Sequence, residues 1–446
     1  MFKKFFSKHD VYLSGLLIAL LMVGLITLFS STRGTDKEVL FIKQSVFVGS
    51  GLIFYFIISF LNLNFLKSKY FQIFLYLSLV ILLISVLIFT KSVNGASRWF
   101  VLPLPFAGSI NLQPADLAKI IFILVGSFIL TQSHKIYDKK KIFTKIYKYS
   151  VFPYMMFLAP ILILILLQPA LGTTIIIFLT MVFMIYFAAK QKMKVLVFIL
   201  VPFIIILFWI IFKDLNLIAK ILIPLSIITI LTLTLFQKIS KVVIIVLFIL
   251  FTSMMFLLQR VETVNFLGHY QRDRVECWLY PERDPIGKCF QQIQAKIAIG
   301  SGELFGRGFS QGIQVQQDRL PEFQNDFIYA AFAEQYGFVG TVLLLVAFLL
   351  FVSEIFRIST KQNSDFSRVV ILGIGTMFLL QIFINISMNN GFLPTTGISL
   401  PFMSYGGSFI WIALIAVGLV QNLSHNNILE NEKEKKGHFW DSLGED

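Results

Sequence analysis

The chain is a succession of apolar runs, each about 17 to 21 residues long and set off by short polar segments, which matches the ~20 residues a helix needs to cross ~30 Å of hydrocarbon. The runs lie near residues 13–30, 39–60, 71–89, 117–131, 151–167, 171–187, 195–212, 217–236, 242–258, 327–351, 369–388 and 409–423. Only 14% of the 446 residues are charged, against about 25% in an average soluble domain. A soluble fold is excluded. The expected class is all-α, a polytopic membrane protein of about twelve spans forming one membrane domain over residues 1–430. The polar, charged segment 431–446 reads as a disordered tail.

The formal net charge of +14 does not point to nucleic acid, because the basic residues sit in short loops between apolar runs. Lys67 and Lys69, the run 135–148, Lys190, Lys192 and Lys194, Lys238 and Lys241, and Arg357, Lys361 and Arg368 all fall on one side. By the positive-inside rule that side is the cytoplasm, which places both termini there and the protein in the cytoplasmic (inner) membrane. The first run is longer than the apolar region of a signal peptide and no A-x-A site follows it, so it reads as a retained first helix.

On the outer side, two segments exceed what a connector needs: 91–113, and a loop of roughly 65 residues over about 259–325. The junction 168–169 and the stretch 389–408 are rich in Pro, Gly, Ser and Thr. Irregular backbone at membrane depth must be sheltered by protein or a water-filled cavity, so these segments are expected to wall one outward-facing cavity. Within the long loop, Phe290, Ile293 and Ile297 recur at helical spacing and end at Gly300-Ser301-Gly302, which predicts an amphipathic helix on the membrane surface.

The loop also holds the chain's two cysteines, Cys277 and Cys289. In an oxidising compartment they are expected to pair, the other reading being two free thiols at apolar positions. Between them lies Asp284, whose backbone is restricted by Pro285; spacing alone favours an ordinary Asp-Pro turn. Asp116 and Lys119 share a helix face at i, i+3, although Asp116, following Pro114, could serve only the helix N-terminus. No nucleotide loop, His/Cys metal cluster or Gly-x-Ser-x-Gly element is present in the sequence.

Seven motifs then occur in order: Asn94-Gly95-Ala96-Ser97-Arg98-Trp99, Gln113-Pro114-Ala115-Asp116-Leu117-Ala118-Lys119, Gln168-Pro169-Ala170-Leu171-Gly172-Thr173, Tyr270-Gln271-Arg272-Asp273-Arg274, Ala298-Ile299-Gly300-Ser301-Gly302, Leu320-Pro321-Glu322 with Asp326-Phe327-Ile328, and the run from Pro394 to Ser408. Together they resemble the SEDS family of RodA and FtsW. The resemblance implies a peptidoglycan glycosyltransferase that polymerises lipid II into undecaprenyl-linked glycan outside the cytoplasmic membrane, with a class B penicillin-binding protein as partner. Residues 270–274 and the Gln-rich stretch 311–317 look more like the elongation and cell-shape member than the division member. A flippase for lipid II is the alternative from another class, disfavoured because the spans are nearly free of charge away from their ends.

The resemblance also implies roles. The family's loop carboxylate, in Pro-x-x-Asp-Pro-x-Gly, maps onto Asp284 as general base. Arg98, Lys119, Arg272 and Arg274 are implied clamps for a diphosphate, with room for a divalent cation such as Mg²⁺ or Mn²⁺. Asp116, Glu322, Asp326 and Ser404 fall in matched motifs and are expected to bind substrate. Three departures stand out: Ala170 replaces the family's Asp, Gln324-Asn325 replaces its His-Thr, and four apolar runs lie between Thr173 and Tyr270 where two are expected, an inserted pair.

Overall fold

A computed structural model describes residues 9–90, 99–104, 108–137, 151–168, 170–188, 269–317 and 319–443. The chain divides into a unit of residues 1–184 with 273–446 and a second of residues 185–272. Of the second, only 185–188 and 269–272 are described, and the account that follows concerns the first. The predicted spans 195–212, 217–236 and 242–258 lie outside the described residues, as does Arg98.

The helices are α1 (Val11–Thr32), α2 (Glu38–Phe60), α3 (Lys69–Phe89), α4 (Pro114–Tyr137), α5 (Val151–Leu167), α6 (Leu171–Ala188), α7 (His269–Leu279), α8 (Phe290–Ser301), α9 (Ile313–Gln316), α10 (Ile328–Thr360), α11 (Asp365–Asn389) and α12 (Gly407–Leu443). Seven of them (α1 to α4 and α10 to α12) are long and apolar enough to cross a membrane, and α5 and α6 carry shorter apolar stretches. The fold is therefore that of a polytopic helical membrane protein.

Helix starts follow local chemistry. The Asp10 carboxylate accepts the Leu13 N–H (3.0 Å) and the Ser68 hydroxyl that of Phe71 (3.2 Å), each satisfying a donor that the first helical turn leaves open. Packing then sorts the helices into layers. Buried residues make up 78%, 78% and 83% of the spanning windows of α4, α11 and α12, against 22% of α3. The first three form the interior, and α3 presents most of its surface to lipid.

Lipid offers no hydrophobic drive between helices, so close contact depends on small residues and on polar side chains that reach backbone. A Cβ on Gly418 of α12 would lie 2.9 Å from the Tyr55 carbonyl of α2. Asn422 then donates to the carbonyls of Ile58 (2.8 Å) and Leu61 (2.6 Å), closing the C-terminus of α2. Trp411 Nε1 donates to Phe47 O (3.1 Å) and Ser50 Oγ (2.9 Å) along the same interface. Phe351, Phe378 and Phe402 pack their rings edge-to-face or tilted, with centres 5.1 to 5.7 Å apart, in the core.

Within the outer segment, Phe100–Leu104 and Gly108–Leu112 form an antiparallel hairpin, with Pro103 opposite Ser109. A two-stranded ribbon tolerates the proline because every strand in it is an edge. Helix α12 runs on to Leu443, into the polar segment after residue 430. Its residues between Gly418 and Gly437 include neither Gly nor Pro, and the Glu and Lys among them are strong helix formers.

Replacing Gly418 by Val should force α12 away from α2 and cost about 1 to 3 kcal/mol, the usual range for overpacking. Thermal unfolding in detergent should show a lower midpoint for Gly418→Val than for Gly49→Val, since a Cβ on Gly49 meets nothing within 4 Å. Equal midpoints would refute the close-packing account.

Candidate functional site

The polar residues of the described unit gather around a non-helical strap between α11 and α12. Asn385 donates from Nδ2 to the carbonyls of Asp326 (2.9 Å) and Ile398 (2.7 Å), and Asn389, one turn on, reaches the same Asp326 carbonyl (3.0 Å). Two amides of this largely apolar helix thus bind the segment before α10 to the strap. From α7, Arg274 Nη1 donates to Thr395 O (3.0 Å) and Trp278 Nε1 to Gly391 O (3.1 Å). These two side chains stand at i, i+4, so one helix face holds the strap at two points.

Gly397, in the left-handed region at φ +72°, sits where Arg274 and Asp326 converge. A Cβ there would come within 3.2 Å of Arg274 Nη1 and 3.6 Å of Asp326 Oδ2. The strap's far end is fixed by Gln44 of α2, whose Nε2 donates to Ser404 O (3.1 Å) and whose Oε1 accepts the Gly406 N–H (3.1 Å). Ser404 is fully buried and its hydroxyl accepts the Leu400 N–H (2.8 Å). It shapes the strap from within, and its O–H is left to donate elsewhere. Glu322 is exposed at φ +57°, and its carboxylate accepts from Asn325 Nδ2 (2.6 Å) and Gln324 Nε2 (3.1 Å). The residues that replace the family's His-Thr thus brace this turn.

Asp284 lies between α7 and α8, half-buried at the end of a 3-10 turn, Pro281–Arg283. Its Oδ1 accepts the Gly287 N–H and its Oδ2 that of Lys288, both at 3.0 Å. A Cβ on Gly287 would fall 2.5 Å from both oxygens, so a side chain there would push the carboxylate aside. An ionised carboxylate has about four acceptor positions, and two remain for another donor. Cys277 and Cys289 are joined by a disulfide with Cα atoms 5.0 Å apart, tying the last turn of α7 to the start of α8 across the Asp284 turn. Beside it, Lys288 Nζ contacts Asp273 Oδ1 (2.7 Å), a hydrogen bond that raises the Lys288 ammonium above its ordinary value. The pair is therefore present below that value and is lost as pH rises through the raised one.

Asp116 and Lys119 form a buried ion pair (2.7 Å) in the first two turns of α4, with the ammonium 5.5 Å from the centre of the Phe409 ring. Ser408 Oγ donates to Asn111 O (2.8 Å), docking the hairpin on the start of α12 beside them. Gly172 of α6 packs on the strap as well, since a Cβ there would lie 2.7 Å from Thr396 O. Arg272 belongs to α7, but its side chain lies outside the described residues. The predicted amphipathic helix is α8, although the face it buries is Gln292, Ala295 and Ala298, while Ile297 is exposed. Small residues allow close approach to α10, which outweighs hydrophobic spacing here. Among the described residues, no three His, Cys, Asp or Glu side chains come together as a metal site.

Fold and site define an integral membrane protein with its polar machinery gathered at one end of a helical bundle. The chain belongs to the FtsW, RodA and SpoVE family of cell cycle proteins, whose model it matches over residues 10–222 and 201–428. The two stretches overlap inside the region that carries four apolar runs instead of two. The chain is 29% identical to the peptidoglycan glycosyltransferase RodA of Treponema pallidum, over 94% of this chain and 98% of that one. It is also 29% identical to a probable peptidoglycan glycosyltransferase FtsW of Aliivibrio salmonicida, over 95% and 90%. A solved chain described for the coordination of polymerization and crosslinking by a peptidoglycan synthase complex superposes with a TM-score of 0.65 at 25% identity, covering 94% of this chain and 98% of that one. The Thermus thermophilus rod shape determining protein RodA shares the fold, with a TM-score of 0.58 at 21% identity over 94% and 97%.

Removing the disulfide by a Cys277→Ser, Cys289→Ser double substitution should lower stability by about 3 kcal/mol in the chain-entropy model for a short closed loop. Limited proteolysis should then cut between α7 and α8, and thiol counting of the wild type under denaturing, non-reducing conditions should find none free. Two free thiols would refute the pairing.

Proposed function

We propose that this chain is a peptidoglycan glycosyltransferase that polymerises lipid II on the outer face of the cytoplasmic membrane, with Asp284 as general base. The observation that carries this reading is the Asp284 turn: a carboxylate with acceptor capacity to spare, held on a disulfide-closed loop, in a member of this family. Both termini are then cytoplasmic, and a class B penicillin-binding protein is the proposed partner for crosslinking. Residues 270–274 and 311–317 favour the elongation role over the division role.

The reaction needs one base and a charge acceptor. Asp284 takes the proton of the acceptor sugar's 4-hydroxyl, and that oxygen forms a bond to C1 of the donor sugar as the C1–O bond to the diphosphate breaks. A diphosphate departs without a general acid if cations meet its charge. Lys119 is assigned that part, with Asp116 holding the ammonium in place. Arg274 is assigned to positioning, because its guanidinium holds the strap at Thr395. A Mg²⁺ ion bound through the diphosphate and one or two carboxylates would need no larger protein cage.

Purified Asp284→Asn should insert and fold normally yet elongate labelled lipid II about 10² to 10⁴ times more slowly, the usual span of general-base catalysis. Exposed Glu282, two residues away, is the control, and Glu282→Gln should lose far less. Polymerisation by Asp284→Asn at close to the wild-type rate would overturn the assignment.

A further inference from the structure

Helix α10 is broken near its outer end. Gly337 adopts φ 65° and ψ −164°, and the helical hydrogen-bond ladder opens around it. The turn that follows α8 fills the gap: Phe338 and Val339 donate their N–H groups to the carbonyls of Glu303 (2.9 Å) and Leu304 (3.0 Å). In return Arg307 and Gly308 donate to Glu334 and Gln335 (both 3.0 Å). The two backbones are too close for side chains, since a Cβ on Gly302, Gly306 or Gly337 would overlap backbone atoms of the other segment.

The depth of this turn can be read from α10. Arg357 marks the inner end of the helix, hydrogen-bonded to Glu354 and to Asp10 before α1. From Arg357 to Val339 an α-helix rises ~27 Å, nearly the whole ~30 Å of the hydrocarbon layer. Leu304, bonded to Val339, therefore lies at the outer edge of that layer. Irregular backbone survives at such depth only when its polar groups are satisfied by protein, and the reciprocal bonds across the break do this. Meanwhile Leu304 and Phe305 are 60% and 80% exposed, continuous with exposed Phe338 (62%) and Leu343 (65%) on the lipid-facing side of α10. Arg307, paired with a residue nearer the outer end of α10, is exposed at headgroup level.

We propose that residues 303–309 form a re-entrant membrane anchor: Leu304 and Phe305 enter the acyl chains of the outer leaflet beside α10, and Arg307 meets the lipid phosphates. The anchor sets the depth of α8, and through α8 that of the Asp284 turn. The occupant is lipid because the exposed pair extends a surface that already faces lipid and sits within its thickness.

The test uses the full-length protein in vesicles of phosphatidylethanolamine and phosphatidylglycerol with no other protein present. The two native cysteines are bonded to each other, so Phe305→Cys supplies a single free thiol for a nitroxide label. Collisions with oxygen should exceed those with a water-soluble nickel complex severalfold at position 305, and the reverse should hold at exposed Gln311→Cys. Leu304→Cys repeats the measurement should the first variant fold poorly, and it should behave as position 305 does. Nickel collisions dominating at both 304 and 305 would overturn the anchor and leave the turn as a water-exposed seat for a protein partner.

Discussion

A backbone N–H or C=O left unpaired in hydrocarbon costs several kcal/mol, and this constraint governs the two irregular segments packed among the spanning helices. The strap between α11 and α12 survives because Asn385, Asn389, Gln44, Arg274 and Trp278 donate to its carbonyls or to the segment packed against it, and Gln44 also accepts from it. The break at Gly337 survives because a second segment completes its hydrogen bonds. In both places the irregular backbone is anchored by neighbours remote in sequence, so neither can move without breaking several bonds together.

That cooperativity has a consequence for the site. Asp284 is carried on a loop whose two ends are attached differently: α7 grips the strap through Arg274 and Trp278, whereas α8 packs on α10 and leads into the turn at the helix break. The disulfide joins the two near the carboxylate. The proposed base is thus referenced both to the strap and to the membrane-spanning helix. A residue that must meet a hydroxyl within hydrogen-bond reach benefits from such double attachment, since misplacement by 1 Å can cost about 10²-fold in rate.

Apolar run length was enough to locate the described spans, because crossing hydrocarbon imposes one length and one composition. Motif order was enough to place the chain in its family. The strap's internal bonding was not legible, since it depends on which carbonyl lies opposite Asn385 or Gln44, and sequence spacing carries no such information. A signal was nevertheless present: Asn385 and Asn389 stand at i, i+4 in an apolar helix, and polar groups there demand partners. The hairpin went unread because its strands are short and one contains a proline. The face of α8 that packs on the protein went unread because it is built from Ala and Gln, which carry no hydrophobic periodicity.

The replacement of the family's Asp by Ala170 can now be judged physically. Ala170 immediately precedes Leu171, the first residue of α6, and is buried. An Asp at that position is a strong N-cap and an Ala a poor one, a difference of about 1 kcal/mol. What α6 gives the site is close contact between Gly172 and the strap at Thr396 and Ile398, and the strap is held there independently by Arg274 at Thr395 and Asn385 at Ile398. The substitution therefore weakens one helix end without removing a support of the strap. The absence of a carboxylate here thus leaves the arrangement around Asp326 and Arg274 in place.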